Sequence, residues 1–166
     1  IIRSMSYDNL TAHKTESEIG WGVLASATFN VMNCLQVYGQ GVYGKGIGQF
    51  LNDMSLLNVD VVPNPEKEGK MQVLPMMGWF AGMQYNFSPK VFITSTYGQS
   101  RLYSHDGYPT TPSEQYRYGQ YLNATLFWNI TSDLQVGAEY LRGWRTDFNG
   151  DTRHANRMNL AVQYSF

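Results

Sequence analysis

A chain of 166 residues with a formal net charge of −1, 43% hydrophobic and only 15% charged residues has the size of a single domain and lacks the basic surface that nucleic acid demands. Its mean hydropathy is −0.35, and its most apolar stretch, residues 73–83, is broken by Pro75 and falls far short of the ~20 apolar residues a helix needs to cross a bilayer. One cysteine, Cys34, excludes an internal disulfide framework, while twelve Tyr and sixteen Gly point to sheet.

The chain opens directly on a strand-like run, residues 1–8, with no leader peptide before it. It is therefore expected to be either a mature chain or one whose beginning is missing. A polar connection over 9–17 follows. Ile19, Trp21, Val23, Ala25, Ala27 and Phe29 then alternate with Gly20, Gly22, Ser26, Thr28 and Asn30, the period-two signature of a strand with one oily and one wet face. A short turn at 31–33 leads to a strand of mixed faces over 34–49.

Residues 50–70 form a connection too apolar for a freely solvated loop, with Leu51, Met54, Leu56, Leu57, Val59, Val61 and Val62. It is a candidate constriction or interface loop: it folds inward to narrow a passage, caps a neighbouring subunit, or packs on the rim. Alternation resumes over 71–87, with Val73, Met77, Trp79, Ala81, Met83, Tyr85 and Phe87 against Gln72, Gly78, Gly82, Gln84 and Asn86. A turn at 88–90 and a second mixed strand over 91–104 follow, then a polar connection at 105–113.

Leu122, Ala124, Leu126, Trp128 and Ile130 oppose Tyr121, Asn123, Thr125 and Asn129, with Phe127 breaking the polar side. After a turn at 131–133, Leu134, Val136, Ala138 and Tyr140 oppose Gln135, Gly137 and Glu139. A tight Asn149-Gly150-Asp151 precedes the clearest strand, in which Met158, Leu160, Val162, Tyr164 and Phe166 oppose Arg157, Asn159, Ala161, Gln163 and Ser165.

The expected fold is all-β: a single unit over residues 1–166, a transmembrane antiparallel β-barrel with about eight strands present. A soluble β-sandwich would share much of this composition. Strands well beyond the five or six residues usual in globular sheets, short turns alternating with longer loops, and aromatics gathered near strand ends, as in membrane-interface girdles, favour the barrel. Its expected place is the bacterial outer membrane, with lipid and lipopolysaccharide as surroundings.

Two stretches resemble the DcaP-like porins of Gram-negative bacteria: residues 44–53, Gly-Lys-Gly-Ile-Gly-Gln-Phe-Leu-Asn-Asp, and the run from Tyr116 to the end, with Gly137 to Arg145 and Ala155-Asn156-Arg157. The final residues 161–166, with Tyr164 and Phe166, look like the C-terminal signal read by the barrel-assembly machinery. The resemblance implies a trimer of barrels with about sixteen strands each, of which this chain is the C-terminal half, and passage of small anionic solutes such as dicarboxylates. Eight strands closing alone, a small structural or adhesive barrel, is the other reading.

A charge on the lipid face costs roughly 2–4 kcal/mol at the bilayer midplane, so strand charges are expected to face the lumen or a rim. The candidate pore-lining and solute-binding set is Arg3, Lys45, Arg117, Tyr121, Glu139, Arg145, Arg153 and Arg157. Predominantly basic, it would draw anions into a narrow lumen, and the planar guanidinium fork suits a carboxylate. The plainer reading is that some arginines pair with Glu139, Asp147 or Asp151 and only brace the wall. Arg142 has lipid-facing parity and is expected to snorkel.

Other signals carry less. Gly39-Gln40-Gly41-Val42-Tyr43-Gly44 satisfies a dinucleotide fingerprint but lies within a strand with no helix after it. Two glycosylation sequons fall in strands. His13, His105 and His154 lie in or near loops, and His105-Asp106 is the one adjacent histidine–acid pair, which does not compel an enzyme. No metal-ligand spacing stands out, and no cofactor is expected.

Overall fold

The computed structural model describes residues 1–10, 12–111 and 113–166. Among these residues the chain is built from strands: β1 (Ile2–Asn9), β2 (Lys14–Met32), β3 (Leu35–Lys45), β4 (Val61–Pro63), β5 (Met71–Val73), β6 (Pro75–Asn86), β7 (Val91–Leu102), β8 (Tyr116–Asn129), β9 (Leu134–Asp147) and β10 (Thr152–Tyr164). A single 3₁₀ turn covers Gly48–Phe50. The long strands form an eight-stranded antiparallel sheet in the order β1-β2-β3-β6-β7-β8-β9-β10, and β4 pairs with β5 in a separate hairpin.

The sheet is open, with β1 and β10 as its edges. The expected barrel is thus seen as an antiparallel wall of eight strands rather than a closed cylinder. Its central strands run from 11 to 14 residues and β2 reaches 19, at or beyond the ~9–11 that cross a bilayer at a tilt.

Register places the alternating residues of every strand on common faces. One row across the sheet reads Asn30, Gln36, Gln84, Thr94, Thr125, Glu139 and Asn159. The row beside it, on the opposite face, reads Phe29, Val37, Met83, Ser95, Ala124, Tyr140 and Met158. A one-residue slip in any strand would exchange the two sets. Aromatic rings also cover glycines directly opposite them on the polar face: Tyr38 over Gly82, Tyr121 over Gly98 and Phe127 over Gly137. Phe127, which interrupts the polar pattern, stacks on Phe92 at 4.9 Å.

The expected connection at 9–17 is shorter than the sequence implies. Residues 14–17 belong to β2, because Thr15 donates to Asp8 at 2.9 Å and Tyr7 donates to Glu16 at 2.9 Å across the β1–β2 ladder. Lys70, in the return of the long connection, donates to both Glu16 oxygens at 2.7 and 2.8 Å, and this contact raises the Lys70 ammonium pKa above its ordinary value.

The packed core lies at one end of the sheet, on its polar face. Ile47, Leu51, Met54, Val59 and Val62 of the long connection bury against Val42, Met76, Leu102 and Tyr116. By register, Val42 and Met76 lie on the face of Gly78 and Gly44, and Leu102 opposes Met76. The connection therefore folds inward over the wall. This explains the mixed faces of β3 and β7: Val42 and Leu102 are apolar residues on a wet face because the inward segment covers them.

Candidate functional site

The site is the polar face beside and beneath the inward segment. Two acidic side chains hold that segment in place, Asp60 near its end and Asp53 at its middle. Asp60 accepts a hydrogen bond from the Gly48 backbone N–H and forms an ion pair with Arg3 at 2.7 Å; Arg3 also donates to the Gly46 carbonyl at 3.3 Å. Farther in, Asp53 accepts from Ser100, and the Ser100 hydroxyl meets the Tyr116 hydroxyl. The segment thus reaches from the β1–β3 side to β8.

Small residues beneath the segment let it lie close to the wall. A Cβ at Gly78 would collide with Leu51, and one at Gly119 would lie 2.8 Å from the Tyr116 oxygen and 3.2 Å from Asp53. A cavity of about 400 Å³ opens alongside, lined by Asp53, Tyr116, Tyr121, Arg145 and Arg153 among others.

The expected pore-lining residues divide into three groups. Arg145, Arg153, Arg157, Tyr121 and Glu139 share the polar face. Arg145 donates to Asp147 at 2.7 Å and lies with its guanidinium 5.7 Å from the Tyr116 ring centre. Arg157 donates to Asn159 at 2.8 Å. Glu139 accepts from Asn123 at 3.1 Å, Thr125 at 3.0 Å and Asn159 at 2.7 Å, a carboxylate held entirely by neutral wall donors. Arg153 forms no ion pair among the described residues.

Arg3 lies on the same face but is a brace, since Asp60 neutralises it.

Lys45 and Arg117 stand elsewhere than alternation implies. Lys45 pairs in register with Trp21 and Pro75, on the apolar face, with its ammonium 3.2 Å from His105 Nε2. Arg117 is the extra residue of a bulge: Tyr116 opposes Asp147 and Tyr118 opposes Thr146, so strict period-two counting fails there. Its guanidinium lies 5.9 Å from the Tyr118 ring centre.

His105 Nδ1 stands 3.4 Å from Asp106, and among the described residues no hydroxyl or thiol bonds either ring nitrogen. Arg142, on the apolar face, extends over Trp144 at 5.1 Å, as snorkelling implies. Tyr164 and Phe166 are exposed at the C-terminal end of the apolar face.

Nothing in the sequence singles out Asp60 or Arg101, and Asp53 stands out only as the last residue of the 44–53 stretch. The apolar character of residues 50–70 is the further signal that points toward Asp53 and Asp60.

No family model matches the sequence, and no curated protein matches it. Among solved structures the chain is similar to the outer membrane channel DcaP of Acinetobacter baumannii, at 22% identity and a TM-score of 0.75, over 91% of this chain and 42% of that one. The likeness is one of fold, and the chain spans less than half the length of that channel.

Proposed function

We propose that the protein forms part of the wall of a bacterial outer-membrane porin, through which small hydrophilic solutes diffuse passively with a bias toward anions such as dicarboxylates. The observation that carries this reading is the pair of opposed rows: an all-polar row on the face bearing the inward segment, and a mainly apolar row behind it, which in this reading faces lipid. Segment 46–62 then narrows the passage.

Hydrocarbon tolerates no open sheet edge, because unpaired backbone groups there cost several kcal/mol each. The edges at β1 and β10 therefore close, in this reading, against further strands. A barrel of about sixteen strands leaves an aqueous channel, whereas eight strands would be filled by their own side chains. Three such barrels assemble as a trimer, and the exposed Tyr164 and Phe166 serve the barrel-assembly machinery.

The anion bias rests on charge placement. Arg145 and Arg153 oppose one another in register, and Arg157 lies on the same face. Glu139 and Asp53 occupy acceptor positions with hydrogen bonds from the wall, while Arg153 presents its donors to the lumen. Basic groups in a confined passage raise local anion concentration.

The test is planar-bilayer recording with the full-length protein. Stepwise conductance and a reversal potential displaced toward chloride in a potassium chloride gradient are expected. Equal permeability to both ions would remove the anion bias, and absence of conductance would remove the pore.

A further inference from the structure

Near the loop end of β7 and β8 the apolar face changes character. The outward row there reads Val23, Tyr43, Met77, Arg101 and Tyr118, an arginine set among apolar and aromatic neighbours. The Arg101 guanidinium lies 5.1 Å from the Tyr103 ring centre and 5.6 Å from that of Tyr118. Arg117, displaced by the bulge, approaches the same Tyr118 ring at 5.9 Å.

Neither arginine forms an ion pair among the described residues. Arg101 Nε is buried and has no hydrogen-bond partner. Lys45, on the same face at the end of β3, adds a further cation.

Three costs meet at this place. A charge on the apolar face is tolerable only near an interface, where its cost falls from roughly 2–4 to ~0–1 kcal/mol. An orphaned buried donor costs about 1–3 kcal/mol. Two guanidinia near one ring repel each other, and the ring faces offset the charge but accept few of the five N–H donors each guanidinium carries. An anion with several oxygens, met by the outward guanidinium N–H groups, relieves the first and the third.

Just beyond the apolar belt of a bilayer, the multi-oxygen anion at high local concentration is the phosphate of a lipid headgroup. We infer that Arg101 and Arg117, arranged about Tyr118, form an outward-facing site for the phosphate of an outer-leaflet lipid. The inference rests on the membrane reading of the apolar face. The site stands on the other side of the wall from the Arg145–Arg153 pair and so is separate from the solute path.

The test uses the full-length protein in detergent, titrated with lipid A and, separately, with its dephosphorylated form, with retained lipid counted by native mass spectrometry. The wild type is expected to retain the phosphorylated lipid with at least about tenfold preference, the order of one charge-assisted hydrogen bond. Arg101→Gln with Arg117→Gln should lose that preference, and Arg101→Lys should keep part of it. Inorganic phosphate at millimolar concentration should not displace the lipid.

Equal retention of both lipids by the wild type, or undiminished preference in the double variant, would overturn the site. Full displacement by inorganic phosphate would overturn the lipid assignment. Arg117→Gln alone, at the bulge, guards against a double variant that fails to fold, and should weaken the preference. Insertion of the wild type into liposomes is scored in parallel: failure to insert counts against the membrane reading, whereas insertion without phosphate preference counts against the site alone.

Discussion

Arg145 and Arg153 stand directly opposite one another on β9 and β10, on the face that carries the inward segment. Like charges in opposed positions destabilise a ladder. Here one of them is paired: Arg145 donates to Asp147, which is 1% exposed. Arg153 is left as the exposed charge.

Arg153→Glu in the full-length protein should therefore reverse or abolish an anion preference while leaving the fold intact, since Arg153 has no ion-pair partner to lose. The reversal potential in a salt gradient reads the change. Arg145→Ala should instead be destabilising by about 3 kcal/mol or more, because it strands the buried Asp147 charge, and urea titration in detergent would show it.

The Arg3–Asp60 contact joins positions far apart in sequence and closes the inward segment at its root. Asp60→Ala removes both the ion pair and the acceptor for the Gly48 N–H. The expected result is faster proteolytic cleavage within 46–60 and noisier, larger single-channel steps. Unchanged cleavage and conductance would show that the apolar contacts suffice alone.

Gly78 leaves room for Leu51. Gly78→Leu should displace the segment from the wall and raise conductance, with a modest loss of stability, about 1–3 kcal/mol, as for other overpacked sites. Leu51→Ala combined with it should restore part of the stability.

Leu160 is 84% exposed on the apolar face of β10. Leu160→Arg should destabilise the liposome-embedded protein by roughly 2–4 kcal/mol if it lies near the midplane, whereas Asn159→Arg, one residue away on the other face, should cost little. Unfolding titrations of the two variants side by side would check the assignment of faces.

Much of this was legible in the chain itself. β9 and β10 alternate cleanly, β6 and β8 do so apart from Met76, Phe80 and Phe127 on the polar face, and register confirms the faces. The turns at 88–90 and 131–133 fall where the strands reverse, and the one expected at 31–33 lies at Asn33-Cys34, since Val31 and Met32 still belong to β2. Lys45 and Arg101 were harder to place because β3 and β7 mix their faces. Apolar Val42 and Leu102 are covered by the inward segment, so alternation there reports two kinds of neighbour at once. Arg117 misled for another reason: a bulge shifts parity by one residue, and nothing in Tyr116-Arg117-Tyr118 announces it. The Asp60 clamp was invisible because its partner, Arg3, lies 57 residues away.

Ile47, Leu51, Met54, Val59 and Val62 are buried against the polar face of the wall, and this bears on gating. In the proposed porin this packed segment is the constriction, so opening it wider would mean dismantling a hydrophobic core rather than swinging a hinge. A porin so built would behave as a fixed aperture, sieving by size and charge at a constant rate. Its regulation would then fall to how many copies the cell inserts and not to the state of any one of them.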